Sequence, residues 1–325
     1  MNNKIKKIGI LTSGGDAPGM NASIRAIVRT ALKNNIEVIG FMRGYEGLIN
    51  NDYIELHNKS VSEILQRGGT MLLSARCKEM MTDEGKQKAA NVCKNLGIDA
   101  LIVIGGDGSL TGALHLSKLG VNVMGIPGTI DLDLPCSEYT IGFDTAVNTA
   151  MDAINKIRDT SSSHERCTIV EVMGRNAGYI ALWSGLVNGA EEVLIPEKPD
   201  VTEDDIINLI KENRKLGKIS NVIVLAEGFT KVKAHDLAKK IEERTGIETR
   251  ATILGHLQRG GSPTAVDRMQ ASMMGHRAVE ELLKGNVNRI MIFKDGKYCD
   301  IDLEEGLKVE RTYDDSLYQI IKTFS

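Results

Sequence analysis

The sequence predicts an α/β protein with mostly parallel sheets arranged in two lobes, and three observations support this prediction. Short apolar runs alternate with longer segments of helical period, which is the pattern of βαβ units. Glycine-rich turns follow directly on several of the predicted strands, as expected where parallel strands lead into helices. The chain has 325 residues, which exceeds one ordinary domain, so two lobes with a cleft are expected.

The first lobe is predicted from short runs rich in branched apolar residues. Its predicted strands are 7–12, 37–41, 100–104 and 121–126. A helix is predicted over 21–32, and another is predicted to start at 60–63, where Ser-Val-Ser-Glu has the form of a capping box.

The second lobe is predicted to begin near Gly142. Its predicted helices are 144–158, 177–188, 202–215 and 234–244, and its predicted strands are 168–173, 193–195 and 222–226. No internal repeat or long linker separates the lobes, so the chain is expected to cross between them more than once.

Composition and charge exclude several classes of protein. The net charge of −3 argues against a general nucleic-acid binder, which needs a basic surface. The five cysteines form no CxxC pair and the six histidines show no metal-ligand spacing, so reduced thiols and no caged zinc are expected. The first apolar run, 8–11, is too short for a signal peptide, and no run approaches a membrane span. A cytoplasmic protein without membrane contact is therefore expected.

Three loops at predicted strand ends combine glycine with aspartate, namely 12–16, 105–109 and 128–133. Glycine lets the backbone N–H groups approach an anion at a helix N-terminus, and aspartate supplies the oxygen ligand that Mg²⁺ prefers. A tight turn with a helix cap would explain any one loop, whereas three together favour a site for phosphate and metal. The P-loop pattern and the dinucleotide fingerprint GxGxxG are both absent.

Five arginines stand at or near predicted element ends, and guanidinium groups match phosphate oxygens in pairs. They are Arg158, Arg166, Arg175, Arg250 and Arg259. A lone arginine commonly forms only a surface ion pair, but Arg259 lies in the unusual segment HLQRGGSP, residues 256–263. The residues therefore suggest nucleotide and metal on the first lobe and an anionic acceptor on the second.

Taken together, these motifs resemble those of bacterial 6-phosphofructokinases. TSGGDAPGMN, SAR at 74–76, GGDGS, PGTIDxD, DTSSSHER, VMGRNAG and HLQRGGSPT occur in the same order and cover essentially the whole chain. The GGDG motif alone would be weaker evidence for this family, because NAD kinases and lipid kinases have a similar motif. The resemblance implies two Rossmann-like three-layer α/β/α lobes with the active site in the cleft between them. Residues 1–142 plus 258–308 would bind ATP and magnesium, and residues 143–257 plus 309–325 would bind fructose 6-phosphate.

The same resemblance implies glycolytic phosphoryl transfer from Mg·ATP to the 1-hydroxyl of fructose 6-phosphate in an allosteric, cytoplasmic homotetramer. Asp131 would be the base, helped by Thr129 and Asp133, with Arg76 and Arg175 also catalytic. ATP would contact Gly15, Arg76, Cys77, Gly106, Asp107, Gly108 and Ser109, with Asp107 holding Mg²⁺. The sugar phosphate would contact Thr129, Asp131, Arg166, Met173, Gly174, Arg175, Glu227, Arg250, His256 and Arg259, with Arg166 and Arg250 supplied by a neighbouring subunit.

Two glycines indicate the phosphoryl donor. Pyrophosphate-using relatives typically carry Asp at the position of Gly108 and Lys at the position of Gly128. An aspartate at the first position would crowd and repel the α-phosphate of ATP, so glycine there predicts ATP as the donor.

The chain departs from the family pattern in two places. Leu132 stands where the family usually has Asn, and a strand-like segment would let Asp131 and Asp133 face the site while Leu132 faces away. The implied effector site for ADP or phosphoenolpyruvate uses Arg25, Arg29, Lys59, Glu63, Arg158, Gly189, Glu191 and Lys218, but Asn58 and Leu216 replace basic residues. A weakened effector response is therefore expected.

Two alternatives to an active kinase remain open. A catalytically weakened paralogue could act as a regulatory subunit that binds nucleotide or sugar phosphate, and Leu132 is its support. A nicotinamide-dependent dehydrogenase on a similar fold is disfavoured by the missing fingerprint and by the arginines.

Overall fold

The computed structural model describes residues 5–325, and the chain divides into two compact units. The first unit contains Met1–Thr145 and Arg259–Arg311, and the second contains Ala146–Gln258 and Thr312–Ser325. The chain therefore passes three times from one unit to the other. The predicted boundaries fall one to three residues before the observed ones.

Strands and helices are numbered here along the chain. The strands are β1 (Lys7–Ser13), β2 (Glu37–Phe41), β3 (Tyr53–Glu55), β4 (Ala100–Gly105), β5 (Val123–Pro127), β6 (Cys167–Val172), β7 (Glu192–Leu194), β8 (Asn221–Ala226), β9 (Thr249–Ile253), β10 (Arg289–Lys294) and β11 (Lys297–Asp302). The α-helices are α1 (Met20–Lys33), α2 (Tyr45–Asn50), α3 (Asp83–Asn95), α4 (Asp107–Lys118), α5 (Phe143–Ser163), α6 (Tyr179–Val187), α7 (Glu203–Lys215), α8 (Ala234–Thr245), α9 (Ala265–Lys284), α10 (Leu303–Lys308) and α11 (Ser316–Phe324).

The first unit contains a seven-stranded sheet in the order β11-β10-β5-β4-β1-β2-β3. Its five central strands are parallel, and the two edge strands β3 and β11 run antiparallel to their neighbours. Every residue of β4 and β5 is buried, as expected for a parallel sheet that is covered on both faces. Helices α3 and α4 pack into one core with the sheet, while α1 packs against α9.

The second unit contains a four-stranded parallel sheet in the order β7-β8-β6-β9. Residues of α7 and α8 bury their apolar faces against β6 and β8 in one cluster that includes Ile169, Ile207 and Leu237. Helix α7 begins with a capping box between Thr202 and Asp205, which satisfies backbone N–H groups of its first turn.

The helix predicted to start at 60–63 is wrong. This stretch forms turns, and the Ser60 hydroxyl accepts a 3.0 Å hydrogen bond from the backbone N–H of His57, which precedes it. Glu63, the expected third residue of the helix, has a φ of 55°, in the left-handed region that an α-helix excludes. None of the described helices is long and apolar enough to cross a membrane.

Candidate active site

The topology of the first unit locates a crevice at the carboxyl ends of β1 and β4. From β1 the chain continues outward to β2, and from β4 it continues outward in the other direction to β5. Ligands of open α/β sheets bind at such a switch point, because the two following loops separate there. All three glycine and aspartate loops of the sequence lie at this edge, after β1, β4 and β5.

The loop after β1 contains Gly14, which has a φ of 86°, and Gly15. A Cβ atom on Gly15 would clash with Nη1 of Arg259, so the guanidinium group occupies the space of a side chain. The Ser74 hydroxyl donates a 2.5 Å hydrogen bond to the Gly14 carbonyl, which joins the SAR segment to this loop. Arg76 is exposed, two residues further on. Two sequence-predicted arginines thus lie on segments that contact one glycine loop.

The loop after β4 leads directly into α4, whose first residue is Asp107. The first N–H groups of a helix have no intrahelical acceptor and carry partial positive charge, so they favour an anion. A Cβ on Gly108 would meet no atom within 4 Å, so space is open beside this helix end. The first turn of α4 is held by Tyr45, whose hydroxyl donates a 2.6 Å hydrogen bond to the Ser109 carbonyl. Burial raises the pKa of Tyr45, which keeps this donor protonated.

The loop after β5 carries the predicted base. Asp131 is 1% exposed, and its backbone N–H donates a 3.2 Å hydrogen bond to the Thr129 hydroxyl. The same hydroxyl donates a 3.2 Å hydrogen bond to Asp133. A Cβ on Gly106 would lie 3.5 Å from Cβ of Thr129, so this loop adjoins the start of α4. The structure therefore brings the predicted catalytic and ATP-binding loops together.

The expectation that Leu132 lies in a strand-like segment is wrong. Its φ is 51°, and the preceding residues form a turn rather than a strand. Asp131 and Asp133 therefore owe their placement to the turn and not to alternation along a strand. Leucine in the left-handed region costs about 1–2 kcal/mol, whereas Asn is tolerated there.

Leu132→Asn is expected to raise the free energy of unfolding by about 1 kcal/mol, because it relieves left-handed strain. We expect kcat not to fall, since the change leaves both aspartates in place. Urea denaturation and steady-state kinetics measure the two quantities. Leu73→Asn is a matched control, because Leu73 has a φ of 61° and lies outside this loop. A less stable Leu132→Asn protein would contradict the strain argument.

In the second unit, the carboxyl end of β6 carries a second group of predicted residues. Glu227, which follows β8, accepts hydrogen bonds from the backbone N–H groups of Gly174 at 3.1 Å and Arg175 at 2.7 Å. The N–H of Met173 donates a 2.8 Å hydrogen bond to the fully buried side-chain amide of Gln258. Arg175 has a φ of 51° and is exposed. These bonds fix the predicted sugar-binding turn.

Arg166 and Arg250 lie at the opposite edge of the same sheet. Arg166 directly precedes β6 and Arg250 is the second residue of β9, opposite Thr168. Both guanidinium groups bind Glu248, with 2.8 Å between Arg166 and the carboxylate. Their hydrogen bonds and charge lower the pKa of this carboxyl group. The six residues of β6 span about 17 Å, so this arginine pair is far from Arg175.

Four of the predicted effector residues meet at this amino edge of the second unit. Arg158 donates hydrogen bonds to the carbonyls of Asn188 at 2.7 Å and Gly189 at 2.9 Å. Lys218 forms a 3.1 Å ion pair with Glu191, which is 1% exposed. Lys218 is thus paired with a buried carboxylate, and Arg158 binds the turn that directly precedes it.

The other four predicted effector residues belong to the first unit. Arg25 and Arg29 are one turn apart on α1, whereas Lys59 and Glu63 are exposed in the turns that follow β3. No described contact joins these two pairs. Asn58 and Leu216, the departures from basic residues, are both exposed, Leu216 by 85%. His256 is exposed, and Cys77 is half-buried.

Comparison with known proteins identifies the family. The Phosphofructokinase family matches residues 7–282. ATP-dependent 6-phosphofructokinases of Clostridium botulinum and Clostridium acetobutylicum are each 56% identical over 321 residues, which is 99% of this chain and 100% of each relative. The chain belongs to the phosphofructokinase family.

The fold agrees with that of a solved member of the family. The phosphofructokinase of Saccharomyces cerevisiae matches with a TM-score of 0.87 at 35% identity, over 93% of this chain and 45% of that one. This chain therefore has the two-lobe phosphofructokinase fold with mostly parallel sheets, as the sequence predicts.

Two residues of this family member were missed by reasoning from the sequence. Gln258 stands inside the HLQRGGSP segment, of which only His256 and Arg259 were predicted to be site residues. A polar amide next to Arg259 and just before a glycine pair is the signal that could have identified it. Asp267 is fully buried in the first turn of α9. Its position gave no signal, because an aspartate in a first helical turn is common.

The donor set fits a metal that arrives with a nucleotide. Among residues 5–325, no group of three or more His, Cys, Asp or Glu side chains is placed to hold an ion. Mg²⁺ is commonly held by one or two carboxylates together with substrate phosphates. Asp107 is exposed at the start of α4, where it could supply such a carboxylate.

Proposed function

We propose that this chain is an ATP-dependent 6-phosphofructokinase, which transfers the γ-phosphoryl group of Mg·ATP to the 1-hydroxyl of fructose 6-phosphate. The observation that carries the proposal is the buried Asp131 on a loop that adjoins the glycine-rich start of α4. This arrangement combines a proton acceptor with an anion-binding helix end. The name shared by the Clostridium relatives supports the same activity.

In the proposed reaction Asp131 accepts the proton of the sugar's 1-hydroxyl as that oxygen forms a bond to the γ-phosphorus. The bond between the γ-phosphorus and the β,γ-bridging oxygen breaks, and ADP leaves with the electron pair. The Thr129 hydroxyl, bonded to both the Asp131 N–H and Asp133, keeps the base in place. Such a transfer depends on in-line positioning and neutralisation of charge more than on covalent chemistry.

The phosphates of ATP are assigned to Gly15 and to the N–H groups of Gly108 and Ser109, with Arg76 reaching the transferred group. Asp107 is assigned to Mg²⁺, which neutralises phosphate charge when bound. The open space around the Cβ position of Gly108 supports ATP, since glycine places no side chain of its own there.

The sugar is assigned to Met173, Arg175 and Glu227, and its 6-phosphate to His256 and Arg259 together with two arginines from a second copy of the chain. Arg166 and Arg250 lie at the amino edge of the second-unit sheet, whereas Arg175 follows its carboxyl edge. One sugar phosphate cannot contact both edges of one sheet. This separation supports a site that is completed by a neighbouring subunit, as in the proposed homotetramer.

The first test is ADP release from Mg·ATP with and without fructose 6-phosphate, with pyrophosphate as an alternative donor. Sugar-dependent turnover of roughly 1–100 s⁻¹ with ATP supports the kinase. Binding of both ligands without turnover would support the alternative, a catalytically weakened regulatory subunit. The left-handed Leu132 beside the base is the observation that favours that alternative.

Shared sites predict complementation between two inactive variants. Arg166→Ala and Asp131→Asn proteins are each expected to have little activity, but mixed oligomers should recover it. If two subunits share their sites across an isologous interface, random association makes half of the subunit pairs mixed. Each mixed pair has one intact site of two. Roughly a quarter of wild-type activity is therefore expected. No recovery, with mixed oligomers verified by mass, would place Arg166 in its own subunit's site.

We also propose that ADP and phosphoenolpyruvate act as effectors through Arg158, Lys218 and the residues of α1, in a cytoplasmic enzyme. Asn58 and Leu216 replace two cations, and each charge-assisted contact contributes about 1.5–3 kcal/mol. Weakened inhibition is therefore expected. A phosphoenolpyruvate titration that shows tight, fully cooperative inhibition would contradict it.

A further inference from the structure

A buried carboxylate lies in the first turn of α9, just after the HLQRGGSP segment. Asp267 is 0% exposed, and each of its two oxygens accepts two hydrogen bonds. Oδ1 accepts from the Tyr139 hydroxyl at 2.6 Å and the Gly142 N–H at 2.7 Å. Oδ2 accepts from the Thr145 N–H at 2.8 Å and the Thr145 hydroxyl at 2.5 Å. A buried carboxylate with four donors is a fully satisfied polar centre.

All four donors belong to the segment 139–145, which leads into α5. Gly142 and Thr145 supply N–H groups at the start of that helix, where intrahelical acceptors are missing. Asp267 therefore caps α5 from outside, with its negative charge at the positive end of the helix dipole. Thr264, the N-cap of α9, adds a 2.5 Å hydrogen bond to Asp144 and accepts from the Asp267 N–H. The two helix starts are bound to each other through polar groups.

The same segment holds the loop that carries the base. The Ile141 N–H donates a 2.9 Å hydrogen bond to the Pro127 carbonyl, and Gly128 pairs with Ile141 as a parallel bridge. The Thr140 hydroxyl donates a 2.7 Å hydrogen bond to the Thr129 carbonyl. Residues 127–129, which precede Asp131 in the loop, are thus held by Thr140 and Ile141. The residues on either side of that pair, Tyr139 and Gly142, bind Asp267.

We propose that Asp267 is a positioning residue for the catalytic loop. Its carboxylate fixes Tyr139 and Gly142 on either side of the pair that binds 127–129, and so sets the position of Asp131 relative to α4. The inference rests on the proposed role of Asp131 as the base. Misplacement of a reacting group by about 1 Å costs on the order of a hundredfold in rate. The hydrogen bonds of Asp267 to Tyr139 and Gly142 are therefore expected to affect kcat and not only stability.

Asp267→Asn is the test, because the amide keeps the size of the side chain. Its NH₂ group would face hydrogen-bond donors of the 139–145 segment, so the bonds on that side are lost. With Mg·ATP and fructose 6-phosphate we expect kcat to fall by at least about tenfold while both KM values stay within about threefold. Binding of ATP is retained because the loops after β1 and β4 are held by other contacts, including the bond from Tyr45 to Ser109. Binding of the sugar is retained because Glu227 holds the turn at Gly174 and Arg175.

Two controls separate positioning from stability. Asp99 also binds two backbone N–H groups, of Lys6 at 2.7 Å and Lys7 at 2.9 Å, but at the amino end of β4. Asp99→Asn is expected to lower the urea midpoint without changing kcat. In an Asp131→Asn background, Asp267→Asn is expected to lower kcat by less than about twofold, since a base that is absent cannot be misplaced.

Tyr139→Phe keeps three of the four donors and serves where Asp267→Asn does not fold. It is expected to lower kcat by about threefold or more with unchanged KM. The inference is overturned if the folded Asp267→Asn protein, or Tyr139→Phe in its place, keeps wild-type kcat. It is also overturned if Asp267→Asn acts equally with and without Asp131. A wild-type chain without sugar-dependent turnover would instead refute the proposed function.

Discussion

Asp131→Asn is expected to lower kcat by about two to four orders of magnitude, the usual contribution of a positioned general base. The KM for ATP should change little, because ATP is assigned to the loops after β1 and β4. The amide preserves the shape of this 1%-exposed side chain, so the loss reports proton transfer rather than packing. Steady-state kinetics at saturating concentrations of both substrates measures it.

Asp133→Asn is the comparison variant for this prediction. Asp133 contacts the site through the Thr129 hydroxyl, so its loss should be much smaller than that of Asp131. Circular dichroism and urea midpoints of both proteins verify the fold. Equal losses in the two variants, or an Asp131→Asn protein within about tenfold of wild type, would remove Asp131 from the role of base.

Gly108→Asp is expected to lower kcat/KM for ATP by about a hundredfold or more, since placing like charges next to each other costs several kcal/mol. Apart from its chain neighbours and its own helix backbone, a Cβ atom at residue 108 would meet no atom within 4 Å, so the substitution itself should not disturb the fold. The new carboxylate instead occupies the start of α4, where the nucleotide phosphates are assigned. The dependence of the rate on ATP concentration measures the effect.

Gly108→Ala is the matched control, because it adds the Cβ without the charge. It is expected to keep kcat/KM for ATP within about fivefold of wild type. Turnover with pyrophosphate, measured in parallel, shows whether Gly108→Asp relaxes the choice of donor. An aspartate variant that uses ATP as well as the alanine variant does would show that the phosphates bind elsewhere.

The sequence by itself determined the central strands, the three glycine and aspartate loops and the family. Strands such as β2 were predicted with their observed bounds, because a strand buried on both faces must be a continuous apolar run. The loops at 12–16, 105–109 and 128–133 lie at one edge, because the carboxyl ends of parallel strands share an edge. These features depend on near neighbours in the chain, so a local pattern is enough to predict them.

The conformations of turns were predicted less well from the sequence. The pattern at 60–63 suits a helix start, yet Glu63 adopts a left-handed φ. A strand-like segment was expected around Leu132, where the chain turns. In both places the packing of distant segments overrides local preference, as it commonly does.

Only the tertiary structure decided which distant side chains meet. It placed Arg259 against Gly15, put the pair of Arg166 and Arg250 at the amino edge of the second sheet, and bound the buried Asp267 to the segment before α5. These contacts join residues more than 80 positions apart in the chain. They arise from strand order and helix packing, which are properties of the whole fold, and no local sequence pattern encodes them.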